Sequence, residues 1–490
     1  MDLLVGIDLG TSSVKVVATD PPGRPVARAA RPYPVRTPAP GFAEQDPDAW
    51  WQATRMALAE VLDTRPVRDG TVRAVGLAGQ MHGLVAVDGA GEPVRPAIIW
   101  PDTRSREACA AIARRAGAER VRQLTGAPVS TGFLAPSLLW LREREPAAFD
   151  RVRSVLLPKD YLRLRLTGDR ATDPSDASGT LLYDLRTGEW SGEILAALGL
   201  DPAVLPPVRA SAAVAGAVSP AAAKLTGLPP GVPVVTGAGD QMAGALTLGV
   251  TVPGRAAAVI GTGGQLITTV AEPVVDPTGR VQTFAHALPA RWLLLGAVLA
   301  AGQSLEWLAR VTGAAGTVAD LVAEAAQVPA GADGLLFLPY LNGVRTPHVD
   351  PSARGCFVGL RLSHTRAHLV RAVLEGVAFA MRECLDAVQE LAGPVSVVCS
   401  GGGARLAAWC QIQADVYGQP VRVTHGQDHS ARGAALLAGE GVGLGPGLAA
   451  SAPVESTLAP TPATRERYQQ LYARYRGLYP ALRETFAALD

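Results

Sequence analysis

The sequence predicts a two-domain α/β protein whose domains are related and face each other. Three observations carry this. The chain has 490 residues, more than one ordinary domain holds. Each half opens on an apolar strand, a Gly-Thr turn and a second strand, with Leu9-Gly10-Thr11-Ser12 in the first and Ile260-Gly261-Thr262-Gly263 in the second. Late in the chain the strand "VSVVCS", the loop "GGGAR" and the helix "LAAWCQIQADVYG" form a strand–glycine–helix unit, an architecture suited to anions and nucleotides.

The elements follow in order. "LLVGIDLG", "VKVVATD" and "RPVARAA" read as three strands separated by "TSS" and "PPG" turns. "DPDAWWQATRMALAEVLD" reads as a helix capped by Asp46, with Pro47 in its first turn and Trp51, Met56, Leu58, Val61 and Leu62 on the buried face. "TVRAVGLAGQ" is a further strand. A long helix follows the loop "YLNGVRTPHVDPSARG", with Leu369, Val373, Val377, Met381, Leu385 and Val388 along one face and Gly393 as its C-cap. An Ala/Pro linker leads to a C-terminal surface helix.

Composition narrows the function. With 48% hydrophobic and 18% charged residues the chain can bury large cores. Its 45 basic and 44 acidic residues give a net charge of +1 without a Lys/Arg run, which argues against nucleic acid and a membrane surface as partners. Five cysteines without CxxC spacing suggest neither a disulfide framework nor a zinc site. No signal peptide or membrane span is apparent, so the protein is expected to be cytoplasmic.

Asp240 stands in "TGAGDQMAGAL", surrounded by glycine and alanine. Either the backbone packs tightly there or a ligand approaches the carboxylate closely. "DLGTSS" offers converging N–H groups, the hydroxyls of Thr11, Ser12 and Ser13, the cation of Lys15, and Asp8 for a hydrated magnesium ion. Asp8 as a plain turn acid is the alternative. "GTGG" at Gly261, Thr262 and Gly263 is a second, uncharged cradle, and "SGGGAR" could take an adenosine. No GK[ST] follows the glycines, so a nucleotide would be gripped between the domains and not by a P-loop. His82 follows a strand between glycines, a place that favours substrate contact over a core histidine.

In order, "VGIDLGTSSVKV", "GAGD", "GTGG" and "GGGAR" resemble the FGGY carbohydrate kinases, over essentially the whole chain. "GQMHG" is similar to the sugar site of the ketopentose kinases within that family. The resemblance implies two actin-like (ribonuclease H-like) domains flanking a catalytic cleft, residues 1–246 for sugar and base and 247–490 for nucleotide. It implies ATP and Mg2+ as cofactors and a small-molecule sugar as substrate, D-xylulose in the first place, with another ketose or polyol (ribulose, gluconate) as the alternative. Carried over by position, Asp240 is the general base, and Met81, His82 and Gln241 contact the sugar. Thr11, Ser12, Ser13, Lys15, Gly261, Thr262 and Gly263 hold phosphates, and Gly302, Glu306, Gly402 and Gly403 surround the nucleotide. Asp8 holds magnesium through water. Pro101 in "WPDTR" replaces the family's usual Asn, Gln241 replaces a frequent Asn, and "HGQDHSARGAALLAG" also departs from the pattern. A homodimer is held open. The rival from another class is a non-catalytic actin-like nucleotide-binding protein, against which Asp8 and Asp240 argue.

Overall fold

The computed structural model describes residues 1–313, 317–445 and 454–489. Two seven-stranded mixed sheets organise it, and both follow one plan. In the first, β1 (Asp2–Leu9) and β2 (Ser13–Thr19) form the expected hairpin and β3 (Pro25–Pro32) extends it antiparallel. On the other side of β1 lie β4 (Thr71–Gly79) and β5 (Pro233–Val235), both parallel to it. The second sheet repeats this with β6 (Arg255–Ile260), β7 (Gly264–Val270) and β8 (Trp292–Val298) antiparallel in succession. Beyond β6, β9 (Ser396–Ser400) and β10 (Val421–Val423) run parallel to it. The repeat read from two Gly-Thr turns therefore extends to five strands in each half.

Parallel pairing decides where the loops go. Asp8 and Leu9 of β1 lie in register with Ala78 and Gly79 of β4, and the short strand Ala238–Gly239 pairs with those same two residues. The chain leaving each carboxyl end thus delivers Asp8, Met81-His82 and Asp240 to one edge of the sheet, where open α/β sheets bind ligands.

Asp46 caps the helix Pro47–Asp63 by accepting from Asp48 N–H at 3.0 Å. Its buried face is centred on Trp50, Trp51, Leu58 and Val61. Met56, expected on that face, is 57% exposed, because it lies five residues from Trp51 and two from Leu58 and so points to the far side. The helix Arg366–Ala392 buries Val373, Val377, Met381, Leu385 and Val388, with Leu369 half-buried, and Gly393 caps it at φ 76°. It is buried nearly all round, between its sheet and the C-terminal helix Pro462–Ala487. That last helix is not the plain surface helix expected. Tyr468, Leu471, Tyr472, Tyr475, Tyr479 and Phe486 are buried, and the Tyr472 hydroxyl donates to Asp386 at 2.6 Å. The linker before it lies largely outside the described residues. All five cysteines are free. No helix among the described residues is long and apolar enough to cross a membrane.

One helix late in the chain crosses between the halves. His429–Gly441 packs on β1 and β4 of the first sheet and on the helix Asp240–Thr247. The approach is backbone to backbone: a Cβ on Gly6 would stand 1.8 Å from the Ala431 carbonyl oxygen, and one on Gly76 1.8 Å from that of Ala434. A Cβ on Gly433 would stand 1.8 Å from the Ala243 carbonyl oxygen. Gly76→Ala should therefore cost about 3 kcal/mol or more, since backbone can yield only by moving the helix. Gly192→Ala, at an exposed position in the first turn of the helix Gly192–Leu198 where a Cβ meets open space, should be neutral or stabilising by about 0.5 kcal/mol. Urea denaturation of the two variants checks both, and equal midpoints would refute the close-packing account.

Candidate active site

Asp8 ends β1 opposite Lys15 of β2, whose ammonium lies 3.8 Å from its Oδ2. Asp8 is 4% exposed and its Oδ1 has no protein partner. Burial raises its pKa, and Lys15 opposes that shift. The turn that follows is braced from outside the hairpin. The Tyr33 hydroxyl donates to the Gly10 carbonyl, and Trp100 Nε1 donates to Thr11 Oγ1 at 2.8 Å. Ser12 is exposed and Ser13 half-exposed.

Asp240 is the first residue of its helix. Its Oδ1 accepts from Gln241 N–H at 2.8 Å, and Ser430 Oγ donates to its main-chain carbonyl at 2.9 Å. Burial, and next the Asp8 charge, push its pKa up to about 7 against the hydrogen bonds of Gln241. Asp8, Lys15, Asp240 and Gln241 open together onto a cavity of about 320 Å³. Its other walls are Gly244 and Leu248, Val259 of β6, Gln265 and Ile267 of β7, Gly401, Gly402 and Arg405 after β9, and residues 426–430 at the start of the crossing helix.

The glycines around Asp240 have two different causes. Gly237 has φ 86°, and a Cβ there would meet the Leu77 carbonyl oxygen at 2.3 Å; one on Gly239 would meet Met81 Cγ at 2.9 Å. Protein packing, not ligand access, demands both. Gly244, with no neighbour nearer than 3.6 Å, lines the cavity itself.

His82 adopts a left-handed φ of 72° and sets its ring beside Phe133 and Phe284, with centroids at 4.3 and 5.8 Å. Its Nδ1 lies 2.7 Å from the Gly179 carbonyl oxygen. A carbonyl only accepts, so Nδ1 carries the proton and Nε2 of the neutral ring is an acceptor. Burial, aided by the Arg345 cation, lowers the pKa to about 4 and keeps the ring neutral. Met81 is buried between Gly239 and Gly179.

In the second half, Gly261, Thr262 and Gly263 turn onto the N-terminus of the helix Gly302–Val311. Gly302 N–H donates to the Gly261 carbonyl at 2.9 Å, and Gln303 N–H to that of Thr262 at 3.0 Å. Glu306 is exposed one turn on. Gly403 is buried, where a Cβ would press on Ile260 at 2.9 Å; of the two predicted glycines only Gly402 reaches the cavity. The structure thus brings Asp8, Lys15, Asp240, Gln241 and Gly402 together, with Met81 and His82 adjoining through Gly239. Gly261–Gly263, Gly302 and Glu306 are not among the lining residues, but Val259 and Gln265, on the strands either side of that turn, are. Sequence reasoning missed Val259, Gln265 and Ile267, Arg405, which stood unremarked at the end of "GGGAR", and residues 426–430, whose signal was the strand–loop–helix order around "HGQDHS". Asp102 proves to be a brace: 1% exposed, it accepts from Ala43 N–H at 2.6 Å and pairs with Arg104 at 2.7 Å.

Comparison with known proteins agrees with this architecture. Residues 3–247 match the N-terminal domain of the FGGY family of carbohydrate kinases, and residues 256–441 match its C-terminal domain. The xylulose kinase of Escherichia coli K12 is 40% identical over 487 residues, covering 98% of this chain and 99% of its own. A crystal structure described as a xyloylose kinase from Brucella ovis superposes with a TM-score of 0.93 at 36% identity over the full length of both chains. A gluconate kinase from Lactobacillus acidophilus reaches 0.92 at 28% identity, also over both full chains. This chain belongs to the FGGY family of carbohydrate kinases.

Proposed function

We propose that the protein transfers the γ-phosphoryl group of ATP to D-xylulose, giving D-xylulose 5-phosphate, with Asp240 as general base. The observation that carries this reading is the Asp240 carboxylate, its pKa near 7, opening with Asp8 onto a cavity closed by the second half. A carboxylate with its pKa raised this far accepts a hydroxyl proton more readily, once ionised, than an ordinary one. Phosphoryl transfer asks mainly for positioning and charge stabilisation. Residues 1–246 supply sugar contacts and base, and residues 247–490 the nucleotide's cradle. His82 Nε2 accepts from a sugar hydroxyl, Met81 covers the carbon chain, and the Gln241 amide reaches a further oxygen. Lys15 and the Gly-Thr turns at 10–13 and 261–263 face phosphate, while Gly302, Glu306, Gly402 and Gly403 belong to the nucleotide's surroundings.

The orphaned Oδ1 of Asp8 fits a hydrated magnesium ion. No group of three acidic, histidine or cysteine side chains that could hold a metal exists among the described residues, so its other ligands would be water and phosphate oxygens. Bound there, the ion would offset charge on the phosphates. Arg345 favours a second reading, a sugar acid as acceptor: its guanidinium lies near His82 with no partner among the described residues.

Asp240→Asn should keep the fold and lower kcat by about 10²-fold or more. In the wild type kcat/KM should rise with pH through about 7, because the ionised carboxylate is the active form. Turnover near wild type in this variant at saturating sugar would remove Asp240 from the role. Asp8→Ala should weaken the use of MgATP and shift the magnesium titration; an unchanged titration refutes the ion's place. In a coupled ADP-release assay D-xylulose should give the highest kcat/KM, D-ribulose less and glycerol little. Gluconate outrunning D-xylulose would establish the sugar-acid reading instead.

A further inference from the structure

Five ionisable side chains, Lys159, Asp160, Arg163, Asp173 and Asp176, lie behind the site with no exposure at all. Lys159 Nζ contacts all three carboxylates, Asp160 Oδ1 at 2.6 Å, Asp173 Oδ1 at 3.0 Å and Asp176 Oδ2 at 3.1 Å, and Arg163 pairs with Asp160 at 3.0 Å. Asp173 does cap a helix, the short Pro174–Ser178, but it does more than a cap. As a source of stability such a cluster is poor, since apolar residues of similar volume often hold a core as well or better.

Its bonds run to the two groups that would handle the sugar. The loop leading into Asp240 is pinned three times: the Thr236 carbonyl accepts from Arg163 Nη1 at 2.8 Å, Gly237 N–H donates to the Ser211 carbonyl at 2.9 Å, and Gly239 N–H donates to Ser175 Oγ at 2.9 Å. Ser175 Oγ and Ser211 Oγ in turn donate to Asp173 Oδ2, at 2.5 and 2.8 Å. At the other end of the short helix, Gly179 N–H donates to the Asp176 carbonyl at 2.9 Å, and the Gly179 carbonyl holds His82. Lys159 therefore grips the N-cap and the middle of one short helix, with the Asp240 loop tied to its first turn and the His82 ring to the residue after its end.

We propose that the buried Lys159 cluster, acting through the helix Pro174–Ser178 and Ser175 above all, positions the Asp240 carboxylate relative to His82 for the sugar hydroxyl. The proposal rests on the reading of Asp240 as base and His82 as sugar contact. Burial, and after it the two neighbouring carboxylates, push Asp176 well above the usual carboxylate range, with Lys159 opposing the shift.

The test is Ser175→Ala, which deletes the acceptor of Gly239 N–H and leaves every charge in place. Thr125→Ala, which deletes a buried hydroxyl bonded to the Val121 carbonyl at 2.8 Å outside the cluster, is the stability control. Misplacing a catalytic group by a fraction of an ångström should lower kcat for the sugar about tenfold in Ser175→Ala, with KM for MgATP unchanged and Thr125→Ala at wild-type kcat. Wild-type kcat in Ser175→Ala, with Asp240→Asn inactive, overturns the proposal alone; an active Asp240→Asn overturns the reading beneath it. If Ser175→Ala does not fold, Ser211→Ala carries the same test one bond further out. A lowered kcat there with KM for MgATP unchanged supports the proposal, and wild-type kcat overturns it.

Discussion

The contact on which the molecule depends is the backbone approach of the crossing helix, His429–Gly441, to the first sheet. Gly6, Gly76 and Gly433 have no side chain because carbonyl oxygens of the facing element occupy the space where one would begin. Packing at that range fixes the helix axis closely, since interiors this dense transmit small displacements instead of absorbing them. The helix start then has one place to go. Residues 426–430 close the cavity over Asp240, and Ser430 ties its hydroxyl to the Asp240 carbonyl. A helix late in the chain thus completes a site whose acids come from positions 8 and 240.

Electrostatics at the site depend on the same closure. Two carboxylates share one cavity, and each is pushed up by burial. Asp8 has the Lys15 ammonium at 3.8 Å to offset it; Asp240 has only Lys15's weaker influence and hydrogen bonds from Gln241. The unequal environments set apart two chemically identical groups. His82 completes the contrast, kept neutral so that its free nitrogen accepts.

Much of this was legible in the chain itself. Two Gly-Thr turns foretold the repeated hairpins, Asp46 and Pro47 the helix start, and "GAGD", "DLGTSS" and "GQMHG" the acids and the histidine. Such features are local: a cap, a turn or a carboxylate at a strand end needs only its near neighbours in sequence. Ambiguity remained where a local pattern had two meanings. Gly237 and Gly239 could mean tight packing or room for a ligand, and they are room for Leu77 and Met81. Gly402 and Gly403 looked alike, but one faces the cavity and the other lies on Ile260.

The sequence by itself determined the fold class, the strand repeat and the identity of the residues at the carboxyl ends of the parallel strands, because period, turn chemistry and pairing sense fix these locally. Only the tertiary structure decided which of them meet. That Lys159 binds Asp173 and Asp176, that Arg405 and residues 426–430 wall the cavity, and that Gly261–Gly263 turn instead onto Gly302 are outcomes of packing between segments up to hundreds of residues apart. Nothing in a local window records such distances, because they are set by the shapes of the elements after they have closed on one another.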